Sequence, residues 1–300
     1  MRMILAPSNL GLRPPRPDQE PGTWRAPAAL MEAGVQNALE PGDIIELSRP
    51  TYSPEPQSGT RLRNGPELRR FNLALADTVE QAIREREFAF VLGGDCSILL
   101  GALAGARRHG PLSLLHIDGH SDFRHPGNYD PETTLGAVAG MDLALATGRG
   151  EAMATTWPGC PVPLVEDRHA IQLGERENRD ADFAWPDVNT TEITRIDVFE
   201  ANRSGPLAVI ERIDGALAKL PGGALWIHLD VDVLDQSIMP AVDCPGSPGL
   251  SPDDLQLILT RYAADRRCVG MTVTVFDPDL DPEGVHAKTI VEILSLLPRV

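Results

Sequence analysis

Acidic and imidazole side chains recur at every second position in the stretch HIDGHSDF, residues 116–123. Asp118, His120 and Asp122 follow the apolar run PLSLL, which is typical of a buried strand. Side chains at positions i, i+2 and i+4 of an extended segment point the same way. The spacing therefore predicts three potential metal ligands that converge where the strand ends, although a solvated loop could carry the same residues.

A second acidic cluster follows a second apolar run. In HLDVDVLD, residues 228–235, Asp230 and Asp232 repeat the alternate spacing after LWIHL. Isolated ionised carboxylates are costly to bury, so such acids cap helices, pair with arginine or bind metal. Carboxylates combined with imidazoles favour a pair of divalent ions such as Mn²⁺. Two such ions can hold a bridging hydroxide, which is a hydrolytic nucleophile at neutral pH.

Short apolar runs alternate with amphipathic runs along the chain. We predict strands at residues 1–6, 43–47, 88–95, 112–118, 170–174, 224–232 and 269–277. We predict helices at residues 25–35, 67–85, 98–108, 206–220, 251–265 and 287–297. Strands that lack polar alternation and alternate with helices predict a largely parallel sheet covered on both faces. Ligands bind beyond the carboxyl ends of such strands, which is where GGDCS (93–97) and both acidic clusters lie.

Composition narrows the class of protein. A chain of 300 residues with 42% hydrophobic and 23% charged residues is compatible with a single globular α/β domain spanning residues 1–300. The net charge of −16 argues against nucleic acid and anionic membranes as partners, and suits a cationic substrate or a metal. The four cysteines lack paired spacing, and no apolar run reaches membrane-spanning length. We therefore expect a cytoplasmic protein.

With these motifs in order, the sequence resembles the arginase/agmatinase/formimidoylglutamase family, the ureohydrolases. The resemblance rests on GGDCS, HIDGHSD, HLDVDVLD and VTVFDPDLDPEG, supported by PSNLGLRP and GTWRAPAALMEAGV near the N-terminus. It implies one arginase-like metallohydrolase domain with a three-layer α/β/α fold and two Mn²⁺ ions bridged by hydroxide. The implied reaction is hydrolysis of a C–N bond in a small linear guanidino or amidino compound. The resemblance is also compatible with a homo-oligomer.

The resemblance assigns roles to individual residues. Asp118, His120, Asp122, Asp230 and Asp232 match the family's metal ligands, and Asp118 and Asp230 are expected to bridge both ions. Asp118 and His120 are also expected to act in catalysis, because they would hold the ions that carry the attacking hydroxide.

The chain departs from the family at three positions. The family's metal-binding histidine at the glycine turn is replaced by Cys96. A thiolate is a better ligand for softer ions, so Zn²⁺ could replace Mn²⁺ there, or Cys96 could be buried without a ligand role. A proton-shuttling histidine aligns with Ala139, and the glutamate that holds the guanidinium aligns with Thr274. His125 could supply the missing proton relay.

Three functions remain open at this point. The first is a ureohydrolase, in which a cationic group of the substrate could be bound by Asp277, Asp279, Asp281 and Glu283. The second is a catalytically impaired binding or regulatory protein, which the replacements at Cys96, Ala139 and Thr274 favour. The third is a zinc deacetylase-like amide hydrolase, with one tightly bound zinc ion and an acylated amine as substrate. The intact set of acidic ligands counts against the second, since a binding protein has little need for clustered acids.

Overall fold

The computed structural model describes residues 1–179, 185–219 and 222–298, and its strands form one parallel sheet. The strands are β1 (Arg2–Ala6), β2 (Asp43–Glu46), β3 (Ala89–Gly93), β4 (Leu112–Ile117), β5 (Ala170–Leu173), β6 (Thr194–Ile196), β7 (Ala224–Asp230) and β8 (Cys268–Thr274). Their order across the sheet is β2-β1-β3-β8-β7-β4-β5-β6, and each pair of neighbours is parallel. All strands therefore end at the same edge.

Helices cover both faces of the sheet. They are α1 (Ala26–Glu32), α2 (Val35–Leu39), α3 (Gly65–Arg84), α4 (Leu99–Arg107), α5 (Asp142–Ala146), α6 (Ala152–Thr155), α7 (Val198–Ser204), α8 (Pro206–Ala218), α9 (Pro252–Ala263) and α10 (Val285–Leu294). One hydrophobic cluster joins α1, α2, α8, α9 and α10 to the sheet, and the other joins α3, α4 and α5 to its opposite face. The expected three-layer α/β/α fold is confirmed.

The central strands are apolar throughout because both of their faces are buried. In β1, Met3 and Leu5 pack in one cluster while Ile4 and Ala6 pack in the other. A strand of this kind has no polar side to alternate with its apolar side, which is the usual signature of a buried parallel sheet. The absence of alternation in the sequence therefore indicated the right architecture.

The structure differs from the predicted elements at a few places. Four elements were not predicted: the strand β6 and the helices α5, α6 and α7. β6 has only three residues and lies at the sheet edge, and the three helices have only four to seven residues each. The predicted helix 25–35 is divided at Gly34, whose φ of 102° ends α1 before α2 begins. The predicted helix 206–220 ends at Ala218 as α8, and residue 220 lies outside the described residues. Among the described residues, none of the helices is both long and apolar enough to cross a membrane.

Helices α3 and α4 approach each other closely through glycines. A Cβ added at Gly105 would lie 2.4 Å from the carbonyl oxygen of Ala76, and one at Gly101 would lie 2.6 Å from that of Asn72. The Asn72 side chain also accepts a hydrogen bond from the Gly101 amide at 2.8 Å. Backbone atoms cannot yield as a side chain would, so this contact requires glycine.

We expect Gly105→Ala to lower the free energy of unfolding by about 1–3 kcal/mol, since the added methyl group overpacks the contact between α3 and α4. Gly215→Ala in α8 is the matched control, because a Cβ there meets nothing within 4 Å. That variant should gain about 0.5–1 kcal/mol from the reduced flexibility of the unfolded chain. Equilibrium urea unfolding measures both, and equal stability of the two variants would contradict the close packing.

Candidate metal centre

The predicted ligands lie together at the carboxyl ends of β3, β4 and β7. Asp230 is the last residue of β7, and Asp232 follows it. β7 pairs directly with β4, and the register Ile117↔Leu229 brings Asp118 and Asp230 side by side. The cluster forms the floor of a cavity of about 730 Å³. The residues of the predicted set that line this cavity are Cys96, His120, Asp122, Asp230 and Asp232. Asp118 is 1% exposed.

The same short turn follows β4 and β7. The carboxylate of Asp118 accepts a hydrogen bond from the His120 amide at 2.6 Å, and that of Asp230 accepts one from the Asp232 amide at 2.7 Å. Each turn leaves the strand direction, and Asp122 adopts a left-handed φ of 46°. We predicted that these side chains converge because alternate side chains of an extended strand point the same way. That reason is wrong beyond Ile117, where the side chains converge because the backbone turns.

Asp118, His120 and Asp232 make the tightest part of the predicted set. Nδ1 of His120 lies 2.9 Å from Oδ2 of Asp232 and 3.6 Å from Oδ1 of Asp118. The Gly119 amide donates to the other oxygen of Asp232 at 3.0 Å and fixes that carboxylate. One ligand atom from each of the three residues lies within 4.8 Å of the others, so a single cation could contact all three.

Cys96 faces the same cluster from the turn after β3. Its Sγ donates to Oδ2 of Asp230 at 2.7 Å and lies 3.1 Å from the hydroxyl of Thr274. It is also within 4.8 Å of ligand atoms of Asp122 and Asp142. This position is compatible with a ligand role and with a buried hydrogen-bonded thiol, so the role of Cys96 remains a prediction.

The electrostatics of the cluster suit a cation. Burial, reinforced by neighbouring carboxylates, raises the pKa of Asp122, Asp230 and the Cys96 thiol well above their ordinary values. Burial also acts to raise the pKa of Asp118, but its contacts with the two histidines, first the hydrogen bond to His120, hold it at about 2. Oδ2 of Asp118 is buried without a hydrogen-bond partner. A carboxylate-rich donor set with an imidazole and an unpaired buried oxygen fits a divalent metal.

His125 and Arg179 lie apart from the cavity. Nε2 of His125 is 2.7 Å from the Asp187 carboxylate, and Arg179 is exposed and stacks over Phe199. Neither is among the described residues that line the cavity. The proposed proton relay through His125 therefore has no geometric support.

The end of β8 presents Val275, and not Thr274, to the cavity. Thr274 donates its hydroxyl to the Leu229 carbonyl at 3.1 Å and points into the sheet. Val275 lines the cavity with a φ of 75°, which is unusual for a β-branched residue. Thr274, which we aligned with the guanidinium-holding glutamate, therefore does not line the cavity. The position that reaches the cavity is apolar.

Three buried residues next to the cluster were not singled out from the sequence. His116 and His228 stand two positions before Asp118 and Asp230, in motifs that we considered only for their acids. Asp142 follows Ala139 closely and begins α5. All three are 0% exposed. On each strand the histidine lies two positions before the aspartate. This spacing could have identified both histidines from the sequence, because it places the imidazoles on the same face as the aspartates.

Fold and site together define an α/β protein with a candidate metal centre at the carboxyl edge of a parallel sheet. The sequence model described as "Arginase family" matches residues 16–297. The chain therefore belongs to the arginase family.

Individual relatives agree with this assignment. An arginase from Bacillus caldovelox is 29% identical over 283 residues, which cover 92% of each chain. The solved structure of Bacillus caldovelox arginase superposes with a TM-score of 0.83 at 26% identity, covering 99% of this chain and 97% of that one. Formimidoylglutamase from Bacillus subtilis has a TM-score of 0.70 at 18% identity, covering 98% and 84% respectively, which shows the common fold.

The Cys96 position can be tested through the pH dependence of metal binding. Because burial raises the pKa of this thiol, a ligating Cys96 must lose its proton when a metal binds. Affinity at that position should then fall by about tenfold for each pH unit below neutrality. In Cys96→His the dependence should flatten above the histidine pKa, and a second Mn²⁺ should bind more tightly than in the native protein.

Calorimetric titration and metal analysis in excess Mn²⁺ and in excess Zn²⁺ measure both effects. Cys160→Ser serves as the control, since Cys160 bonds to backbone carbonyls of Ala104 and Pro158 and lies outside the cavity. Equal metal content in native protein and Cys96→His under both conditions would mean that Cys96 is buried without a ligand role.

Proposed function

We propose that the protein is a metal-dependent hydrolase that cleaves a C–N bond in a small linear guanidino or amidino compound. The observation that carries this proposal is the meeting of Asp118, His120, Asp230 and Asp232 at the floor of an accessible cavity, in a chain of the arginase family. We further propose Cys96 and Asp122 as the remaining ligands of a two-ion centre. Mn²⁺ is the expected metal, and Zn²⁺ is the alternative at the Cys96 position.

Bound divalent ions would supply Lewis-acid chemistry and activate water for hydrolysis. The chain contributes the orientation of the ligands: Asp118 and Asp232 hold the ring of His120 between them, and the Gly119 amide holds Asp232. These contacts keep the donor atoms in place before a metal binds. We therefore assign Asp118 and His120 to the catalytic centre.

Glu177 is a candidate to carry a proton in this cavity. It lines the cavity, and its carboxylate accepts hydrogen bonds from the amide and hydroxyl of Ser121 at 3.1 and 2.7 Å. Burial raises the pKa of Glu177, which moves it toward the neutral range where a carboxyl group exchanges protons efficiently. Ala139 and the outward-lying His125 cannot serve this purpose.

The cavity walls favour a substrate that carries a carboxylate. Val275 and Ala139 offer no acid to a guanidinium at the end of β8. Arg124 lines the cavity, stacks over Tyr129 and Trp185, and forms no ion pair with a carboxylate among the described residues. An arginine held by aromatic rings with its charge unpaired is suited to bind a carboxylate. We propose that it binds the non-reacting end of the substrate.

A second candidate function is a binding protein that retains metal without turnover. The apolar side chains of Val275 and Ala139 at the cavity favour this candidate. The resemblance places a proton-shuttling histidine of the family at Ala139 and a guanidinium-holding glutamate next to Val275. Metal retention without release of urea or ammonia from any guanidino or amidino compound would support this candidate over the hydrolase.

We also infer that residues 1–300 fold as a single arginase-like domain, because one sheet carries both hydrophobic clusters. All four cysteines are free. This is compatible with the cytoplasmic location that we predict and with the absence of disulfides in a reducing compartment.

The hydrolase proposal is tested by urea and ammonia release from a panel of guanidino and amidino compounds, with Mn²⁺-loaded protein. Asp232→Asn removes a ligand charge and should lower kcat/KM by at least about 100-fold, more than typical losses from residues that only orient ligands. Asp253→Asn, in the exposed first turn of α9, is the control and should retain activity. Equal activity of Asp232→Asn and the native protein would refute the metal role.

The substrate preference is tested within that panel. Without an acid at Val275, arginine should be hydrolysed poorly, because such a contact commonly contributes about 2–4 kcal/mol to the transition state. 4-Guanidinobutanoate should exceed agmatine, which has no carboxylate. Arg124→Gln should raise KM for the guanidino acid by about tenfold or more, the loss of one charged hydrogen bond.

Arg70→Gln is the control for this variant, since Arg70 is exposed on α3 and pairs only with Glu67. A preference for agmatine over the guanidino acid would contradict the role of Arg124.

A further inference from the structure

Two imidazoles and a carboxylate are buried directly beneath the predicted metal centre. His116 of β4 and His228 of β7 are paired in register, and their ring centroids lie 5.0 Å apart. Asp142, at the start of α5, lies against both rings. All three residues are 0% exposed. A buried carboxylate between two histidines is costly unless a charge or a proton compensates it.

The donor atoms of this group have the spacing of metal ligands. Nε2 of His116 is 3.0 Å from one Asp142 oxygen, and Nε2 of His228 is 3.4 Å from the other. Nε2 of His116 is also 3.7 Å from Oδ2 of Asp118. Tetrahedral ligands about 2.0–2.1 Å from a zinc ion lie about 3.3 Å from one another. The observed spacings bracket that value.

Several of these atoms are buried without a hydrogen-bond partner. Nε2 of His228, Oδ2 of Asp142 and Oδ2 of Asp118 are each in this state. Unsatisfied buried polar atoms are rare, and each needs a physical explanation. Nε2 of His228 and Oδ2 of Asp142 belong to residues whose ligand atoms, with that of His116, lie within 4.8 Å of one another. A cation among these three residues would satisfy both unpaired atoms.

One tautomer of His228 leaves a lone pair free for such a cation. The Thr272 hydroxyl lies 2.8 Å from Nδ1 of His228 and 3.5 Å from the Ile227 carbonyl. When the hydroxyl donates to the carbonyl, it accepts from Nδ1–H, and Nε2 is then unprotonated. A neutral imidazole whose other nitrogen is hydrogen-bonded is the usual form of a metal-binding histidine.

We propose that His116, Asp142 and His228 form an inner metal site that binds a zinc-like divalent ion. One ligand atom from each of the three residues lies within 4.8 Å of the others. Two imidazoles and a carboxylate suit Zn²⁺ better than Mn²⁺. The inner site does not depend on the proposed hydrolase activity.

The competing explanation is a proton shared among the same residues. Burial raises the pKa of Asp142 to about 6, so a protonated carboxyl group is accessible near neutral pH. A proton would satisfy only one pair of these atoms at a time, whereas a metal ion satisfies all of them together. Metal content distinguishes the two explanations directly.

The first experiment removes the outer and inner ligands separately. The full chain is stripped with a chelator, reloaded with Zn²⁺ and analysed for metal content, and its Co²⁺ form is examined by absorption spectroscopy. The triple variant Cys96→Ser, His120→Asn and Asp232→Asn removes ligands from both outer positions, and it should retain one ion per chain with the intense visible bands of tetrahedral Co²⁺. Asp142→Asn and His228→Gln should each lose that ion. Retention of the tetrahedral ion in both inner variants would refute the proposal.

A matched pair of threonine variants tests the site without touching a ligand. Thr272→Val removes the hydroxyl that bonds to His228, and it should weaken zinc binding at the inner site by about 10–100-fold. Thr274→Val removes the equivalent hydroxyl two residues further along β8, which faces Cys96, and should leave the inner site unchanged. Equal affinities in the two variants would contradict the role of His228.

Should the inner variants fail to fold, the native protein still decides the question. Anomalous diffraction at the zinc edge from crystals of the zinc-loaded native protein should give a peak between the side chains of His116, Asp142 and His228. No peak at that position in crystals that hold zinc in the outer centre would overturn the proposal.

Discussion

The direct parallel pairing of β4 with β7 is the constraint on which the rest of the site depends. The two strands are in register from Leu112↔Ala224 to Ile117↔Leu229, so equivalent positions of the two motifs face each other. Each motif contributes a histidine near the end of the strand and an aspartate two residues later. The pairing therefore assembles two layers of donor atoms, one inside the sheet edge and one at the floor of the cavity.

The turns that follow these strands carry the same constraint into the cavity. Asp118 and Asp230 each accept a hydrogen bond from the backbone amide two residues later. This bond fixes the carboxylates and also bends the chain, so that His120 and Asp232 meet at 2.9 Å. Among the described residues, no arginine or lysine side chain forms an ion pair with the carboxylates of this cluster. Such a cluster of buried carboxylates is suited to a cation.

The side chains around this floor form two groups. At the cavity, Cys96 takes the position where the resemblance led us to expect a histidine, and its thiol bonds to Asp230. One layer deeper, His116, His228 and Asp142 are buried together. Val275, Ala139 and the half-buried Arg124 line the cavity above them.

The sequence by itself determined the parallel sheet, its helical layers and the edge at which the chemistry lies. Apolar strands with two buried faces are a local property, and the carboxyl ends of parallel strands must share an edge. Tertiary structure decided which side chains at that edge face the cavity. Val275 rather than Thr274 reaches it because the backbone takes a left-handed φ after β8, and His125 is held away by Asp187. The grouping of His116, His228 and Asp142 depends on strand register and on how α5 packs, which are long-range contacts that residue spacing within one motif cannot specify.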